Sequence, residues 1–205
     1  MKYFLTLLHL LLNFPVSATP PKDGVNEVYF EGTRQLREKG TYNNGKKTGL
    51  WTTWFDNGQI SLEGHYERGE KVGKWTAWHR NGNKEREFSI ENGKYQGMFT
   101  LWYSNGKIFM QCNRVRGNED GECKTWYESG NKRTVTFYKL GKKTGKWTTW
   151  YDNGKIKMLE YYSRNKRHGN YKSWYDNGQK KEQGFYLHGK PNGKWTKWNR
   201  DGSMK

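Results

Sequence analysis

From Gly49 onward, apolar and polar positions follow one ten-residue phrase that returns every 24 residues without a slip in register. Its copies are GLWTTWFDNG, GKWTAWHRNG, GMFTLWYSNG, GECKTWYESG, GKWTTWYDNG, GNYKSWYDNG and GKWTKWNRDG, starting at Gly49, Gly73, Gly97, Gly121, Gly145, Gly169 and Gly193. Self-similarity at a fixed period of this size marks a repeat array. Within a copy, Trp51-Thr52-Thr53-Trp54-Phe55 is aromatic and β-branched throughout, which favours a strand over a helix. Asp56-Asn57-Gly58 then supplies a turn, and Asn-Gly is the preferred centre of a type I′ hairpin turn because both positions need positive φ. A second strand follows from Gln59 to Tyr66, closing on a Gly-x-x-x-Gly loop from Gly69 to Gly73 that leads into the next copy.

Each copy is therefore expected to be one β-hairpin, and consecutive hairpins to form an antiparallel meander. At about 4.8 Å per strand, seven copies advance about 70 Å, so the fold class is all-β: an elongated, single-layer or solenoid-like sheet of seven 24-residue hairpins. The first Gly of the loop recurs at 45, 69, 93, 117, 141 and 189, with Asn at 165. Asn is well able to replace Gly at positive φ, so a left-handed backbone is expected at Asn165. Val28 to Gly32 followed by Gly40-Thr41-Tyr42 reads as a degenerate copy with a two-residue slip, a capping repeat over residues 28–48. Seven copies are expected to fill residues 49–205, the last lacking most of its second strand.

Alternation places Trp51, Thr53 and Phe55 on one side of the strand, and Thr52 and Trp54 on the other. Trp54 recurs as Trp78, Trp102, Trp126, Trp150, Trp174 and Trp198 without exception. The Trp51 slot varies through Trp75, Phe99, Cys123, Trp147, Tyr171 and Trp195. The unvaried row is expected to be the more buried of the two and to serve as the structural ladder.

A mean hydropathy of −1.21 leans toward a disordered composition. The 11 Trp, 14 Tyr and 9 Phe placed at fixed slots decide for order instead. Of 13 Leu, six lie before residue 13. They belong to a separate segment, in which Lys2 precedes an apolar run from Tyr3 to Leu12 and a small-residue exit at Val16-Ser17-Ala18. This reads as a secretory signal over residues 1–18, cleaved near Ala18, with an uncleaved N-terminal anchor as the alternative. Residues 19–27 are expected to be a linker. The run is short of the roughly 20 residues of a membrane span, and no transmembrane segment is expected in the mature chain. The protein is thus expected to be exported, periplasmic or extracellular.

The formal charge of +17 favours anionic surfaces such as acidic lipid or glycan. Export makes nucleic acid an unexpected partner, and the lysines also solvate an exposed sheet and blunt its edges.

The phrase G-x-W-x-x-W-Y-D-N-G, best matched by Gly145–Gly154 and Gly169–Gly178, resembles the MORN-variant repeat over residues 28–205. Arrays of this kind are labelled YwqK-family antitoxins. The resemblance implies a β-meander that binds a partner, neutralising a toxin or contacting membrane lipid, and it brings no shared catalytic residues or cofactor. Cys123 departs from the pattern at the first aromatic.

Cys112 and Cys123 flank one loop and suggest a local disulfide in an exported chain, or two half-buried thiols in a reducing compartment. His65, His79, His168 and His188 occupy different slots and none recurs beside a nucleophile, so no enzyme activity, catalytic residue or metal site is expected. Asp56, Asp152 and Asp176 share the turn slot, where Asp serves turn geometry. The candidate binding aromatics are Phe55, Tyr103, Tyr127, Tyr151 and Tyr175, with a candidate basic surface at Lys46, Lys74, Lys146 and Lys194. Cross-strand packing is the competing role for each aromatic. The expected function is a non-catalytic scaffold for a protein partner, antitoxin- or immunity-like. The alternative is an envelope-surface module for acidic lipid or glycan.

Overall fold

The computed structural model describes residues 21–205. The expected signal segment and the first residues of the expected linker lie outside the described residues. Every named element is a strand: β1 (Gly24–Tyr29), β2 (Leu36–Asn43), β3 (Lys46–Trp54), β4 (Ile60–Glu67), β5 (Glu70–Trp78), β6 (Lys84–Glu91), β7 (Lys94–Tyr95), β8 (Gly97–Trp102) and β9 (Ile108–Val115). These are followed by β10 (Asn118–Trp126), β11 (Lys132–Lys139), β12 (Lys142–Trp150), β13 (Ile156–Ser163), β14 (Lys166–Arg167), β15 (Gly169–Trp174), β16 (Lys180–Leu187) and β17 (Lys190–Lys197). The 17 strands form one antiparallel sheet in which neighbours in sequence pair, apart from β7 with β8 and β14 with β15. β7 with β8, and β14 with β15, are two halves of one interrupted line against β6 and β13. The all-β hairpin meander expected from the repeat is the observed fold.

Backbone geometry places the type I′ turns at the other end of the hairpin from the expected one. Asn57 is absent from the residues with positive φ, and only Gly58 there is left-handed. Gly58 N–H donates to Phe55 O at 3.0 Å and Phe55 N–H to Gln59 O at 2.8 Å. This is a type I turn followed by a left-handed Gly, the three-residue hairpin loop. The two-residue turns are Asn44-Gly45, Arg68-Gly69, Asn92-Gly93, Arg116-Gly117, Leu140-Gly141, Arg164-Asn165 and His188-Gly189, with both residues at positive φ. Asn165 takes φ 69°, as its place in the Gly column requires. The expected Gly69–Gly73 loop is thus a tight turn followed by a strand, and Gly73 sits in a register shift between Val72 and Trp75.

The cap also differs in detail. β1 starts at Gly24, inside the stretch expected to be linker. Phe30 N–H reaches Gln35 O, where Phe55 N–H reaches Gln59 O, so the first turn is longer by one residue rather than two.

Residues in direct register share a face of the sheet. Trp51 pairs with Gly64, and Gly64 with Trp75. The same line runs on through Phe88, Phe99, Cys112, Cys123 and Thr136. We call this the ladder face and the other the open face. Trp51, Trp75, Phe88, Cys112 and Cys123 are buried. Trp51 and Trp75 are 2% and 1% exposed, whereas Trp54, Trp78 and the rest of that row are only partly covered. The variable row, not the unvaried one, is the core. The cause is a hole in the neighbouring strand: Gly40, Gly64 and Gly184 offer no side chain, and the Trp51, Trp75 and Trp195 indoles lie in the space a Cβ would fill.

Candidate functional site

A ladder of edge-on rings spends most of the ladder-face aromatics on packing. Tyr42 and Tyr66 flank Trp51 at 5.1 and 5.8 Å, and Tyr66 meets Trp75 at 5.1 Å, all near perpendicular. Aromatic pairs at this separation and angle contribute beyond area burial. Lys47, Lys71 and Lys143 cover Trp51, Trp75 and Trp147 at 3.8, 4.2 and 4.6 Å from the ring centres. Burial, reinforced by Arg86 and Lys47 nearby, pushes the Lys71 ammonium below its ordinary pKa. In the other repeats the lysine slot holds Tyr95, Glu119, Arg167 and Pro191. Tyr95 packs on Phe99, and Glu119 beside Cys123 pairs with Arg114 at 2.9 Å.

Two departures close the middle and the end of this ladder. Cys112 and Cys123 face each other in register with Cα atoms 4.3 Å apart and are joined by a disulfide. Glu160 takes a core position between Trp147 and Tyr171. It is buried, accepts from Arg167 Nε at 2.7 Å and from the Tyr162 hydroxyl at 3.2 Å. Burial works against the Arg167 charge, but Glu160 more than offsets this and raises the pKa. The signal for Glu160 in the sequence was its column, which elsewhere holds Gly, Phe, Cys or Thr.

The expected binding aromatics line the edge formed by the three-residue turns, and four of them are tied to the next repeat. The hydroxyls of Tyr103, Tyr127, Tyr151 and Tyr175 donate to the carbonyls of Trp126, Trp150, Trp174 and Trp198 at 2.8–3.0 Å. His79 Nε2 meets Trp102 O at 3.2 Å in the same slot, while Phe55 has no polar atom to offer and lies under Arg80. Asn57, Asn81, Asn105, Asn153 and Asn177 extend this clamp, each amide donating to a carbonyl 23 residues on. Asp56 and Asp176 pair with Arg80 and Arg200 of the following turn, and Arg200 holds the Asp176 carboxyl below the ordinary range. Ser129 donates to Asp152. The shared column of aspartates is therefore a chain of turn-to-turn contacts.

The four candidate lysines do not form one surface. Lys46 follows a two-residue turn, whereas Lys74, Lys146 and Lys194 lie on the open face beside core positions 75, 147 and 195. Lys74 pairs with Glu87 at 3.0 Å, and Lys146 and Lys194 have no carboxylate partner among the described residues.

Two features, one of the whole array and one of the open face, do not show when the repeat is taken as uniform. Charge is polarised along the array: residues 129–205 hold 19 Lys and Arg against five Asp and Glu, a net +14, while residues 21–128 hold 17 against 15, a net +2. Counting charge by half of the chain would have found this. The second is a column of aromatics, Phe137, Tyr161 and Phe185, in a slot held by Thr41, His65, Ser89 and Asn113 earlier in the chain. Around Phe185 lies an open depression of about 590 Å³, lined by Asn170, Lys172, Gln183, Asn192 and Lys194. Asn170, Phe185 and Asn192 stand in one register row across β15, β16 and β17, and Lys172 and Gln183 in the next. Among the described residues no group of three or more His, Cys, Asp or Glu side chains converges on a metal position. No helix there is long and apolar enough to cross a membrane.

The fold and this surface define a class: a single-sheet array of clamped β-hairpins with one packed and one open face. The family pattern described as the MORN repeat variant matches residues 47–68, 119–140, 143–164 and 167–188. Each match spans one three-residue-turn hairpin, from just after one two-residue turn into the next. No curated protein matches the chain.

Proposed function

We propose that this protein is an exported, non-catalytic repeat scaffold that holds a protein partner against its open face. The match to MORN repeats supports the scaffold reading. The observation that carries the choice of face is the exposure of Leu50, Met98 and Phe185, at 50%, 57% and 36%. All three stand on the open face, while Trp51, Trp75 and Phe88 on the ladder face are buried. Rigid aromatic and aliphatic anchors on a preformed surface are what protein recognition uses. An antitoxin- or immunity-like role fits such a surface. The test is capture by the chain lacking residues 1–18 as bait. Apolar recognition persists at about 0.5 M salt, where screening shortens to a few Å, and loss of the captured partner at that salt contradicts this reading. Rescue of growth on co-expression with a neighbouring toxin supports the antitoxin role, and no rescue counts against it.

A second reading is favoured by the net +14 of residues 129–205: adhesion to an acidic envelope surface, lipid or glycan. A concentrated positive field raises the local concentration of an anionic ligand. Binding of this kind collapses with salt.

A further inference from the structure

We propose that the open face of the last three hairpins is a track for an extended acidic polysaccharide, with Phe137, Tyr161 and Phe185 each seating one disaccharide. This rests on the acidic-surface reading and names its ligand.

Spacing is the first support. The three rings recur at 24 residues on β11, β13 and β16, two strand lines apart. At about 4.8 Å per strand this is about 10 Å between platforms, the length of one disaccharide unit in an extended β-linked chain. An aromatic ring covers the C–H face of a pyranose, and its neighbours then meet the hydroxyls at the sugar's rim.

Those neighbours are the second support. Phe185 stands in register between Asn170 and Asn192, so a ring is flanked on both sides by amides that donate and accept. The depression there sets one aromatic platform among polar and charged side chains. A lipid headgroup would need the phosphate contacts but not the flanking amides.

Charge is the third. Lys146 lies directly across from Tyr161, and Lys194 lines the depression at Phe185. That gives two of the three platforms one lysine without a carboxylate partner, which suits a polymer with one carboxylate per disaccharide. At Phe137 the facing residue is Glu122, already paired with Lys124 at 2.5 Å. The track therefore starts weakly at Phe137 and is strongest at Phe185.

The test is calorimetric titration of the chain with hyaluronan oligosaccharides from di- to decasaccharide. Parallel titrations use neutral chitin oligosaccharides, phosphatidylglycerol vesicles and single-stranded DNA. Affinity is expected to rise with length up to the hexasaccharide and then level off, with weak binding of the neutral series. Phe185→Ala and Lys194→Glu each weaken the hexasaccharide about tenfold, the loss expected of one anchor, and Lys74→Glu leaves it unchanged. Circular dichroism melts of the variants, unchanged from wild type, show that the loss is not one of folding. Affinity that grows without levelling, or that ignores Phe185→Ala, means a diffuse electrostatic surface and overturns the track. Binding of vesicles or DNA without hyaluronan overturns the glycan and leaves the acidic-surface reading standing. No binding to any acidic probe removes both.

Discussion

Trp75 lies in the space that a side chain at Gly64 would occupy, one strand away on the same face. This pairing sets which tryptophans form the core. Gly64→Ala places a methyl inside the indole and is expected to cost about 1–3 kcal/mol, the range for overpacking. Thermal melts check it. The double variant Gly64→Ala/Trp75→Leu is expected to be less destabilised than the two single changes summed, because they share one contact. Strict additivity would contradict the packing.

Tyr127 and Tyr151 hold successive repeats together through single hydrogen bonds to Trp150 and Trp174. Tyr127→Phe removes only the hydroxyl and is expected to cost about 1 kcal/mol. In an array whose units contact only their neighbours, interface losses add. The fourfold change of Tyr103, Tyr127, Tyr151 and Tyr175 to Phe should therefore lower the denaturant midpoint well beyond any single change. If these rings instead grip a partner through their hydroxyls, binding falls and stability does not.

Much of this was legible in the residues, and the exceptions have physical causes. The 24-residue phrase gives the hairpins and their order, and Asn165 reports a left-handed backbone from the column it occupies. Asn57 misled because Asn-Gly suits two turn types, and its side chain is committed to Arg80 O in the next repeat, a contact that sequence spacing alone does not reveal. In the unvaried Trp54 row constancy does not mean burial. Its carbonyls receive the turn clamps, and the holes that bury Trp51 and Trp75 are made by glycines on other strands. The open-face track was hidden because Phe137, Tyr161 and Phe185 depart from the phrase rather than belong to it.

The Cys112–Cys123 bond closes a short loop across β9 and β10 in the middle of the array. A cross-link over 11 residues is expected to contribute about 2–3 kcal/mol in the chain-entropy account. Reductant should lower the melting temperature of the wild type and leave Cys112→Ser/Cys123→Ser unaffected. Equal melting of the wild type with and without reductant would falsify a stabilising role.

Burial raises the phenol pKa of Tyr66, Tyr138, Tyr162 and Tyr171 above the ordinary value of about 10. The folded state thus favours the neutral ring. The stability this provides is fully present below about pH 10, and it is lost as pH rises through the raised folded values. Phenolate absorbance followed with circular dichroism should show these rings ionising together with loss of the sheet. Ionisation near pH 10 with the sheet intact would mean that the rings are not part of the packed ladder.

The division between a packed face and a binding face is tested most directly by lysine-reactive footprinting, with and without saturating hyaluronan hexasaccharide. Lys146, Lys172 and Lys194 should lose reactivity on binding, while Lys46, Lys74 and Lys107 keep theirs. Protection spread evenly over both halves of the array, or confined to the ladder-face lysines Lys47, Lys71 and Lys143, would contradict the account.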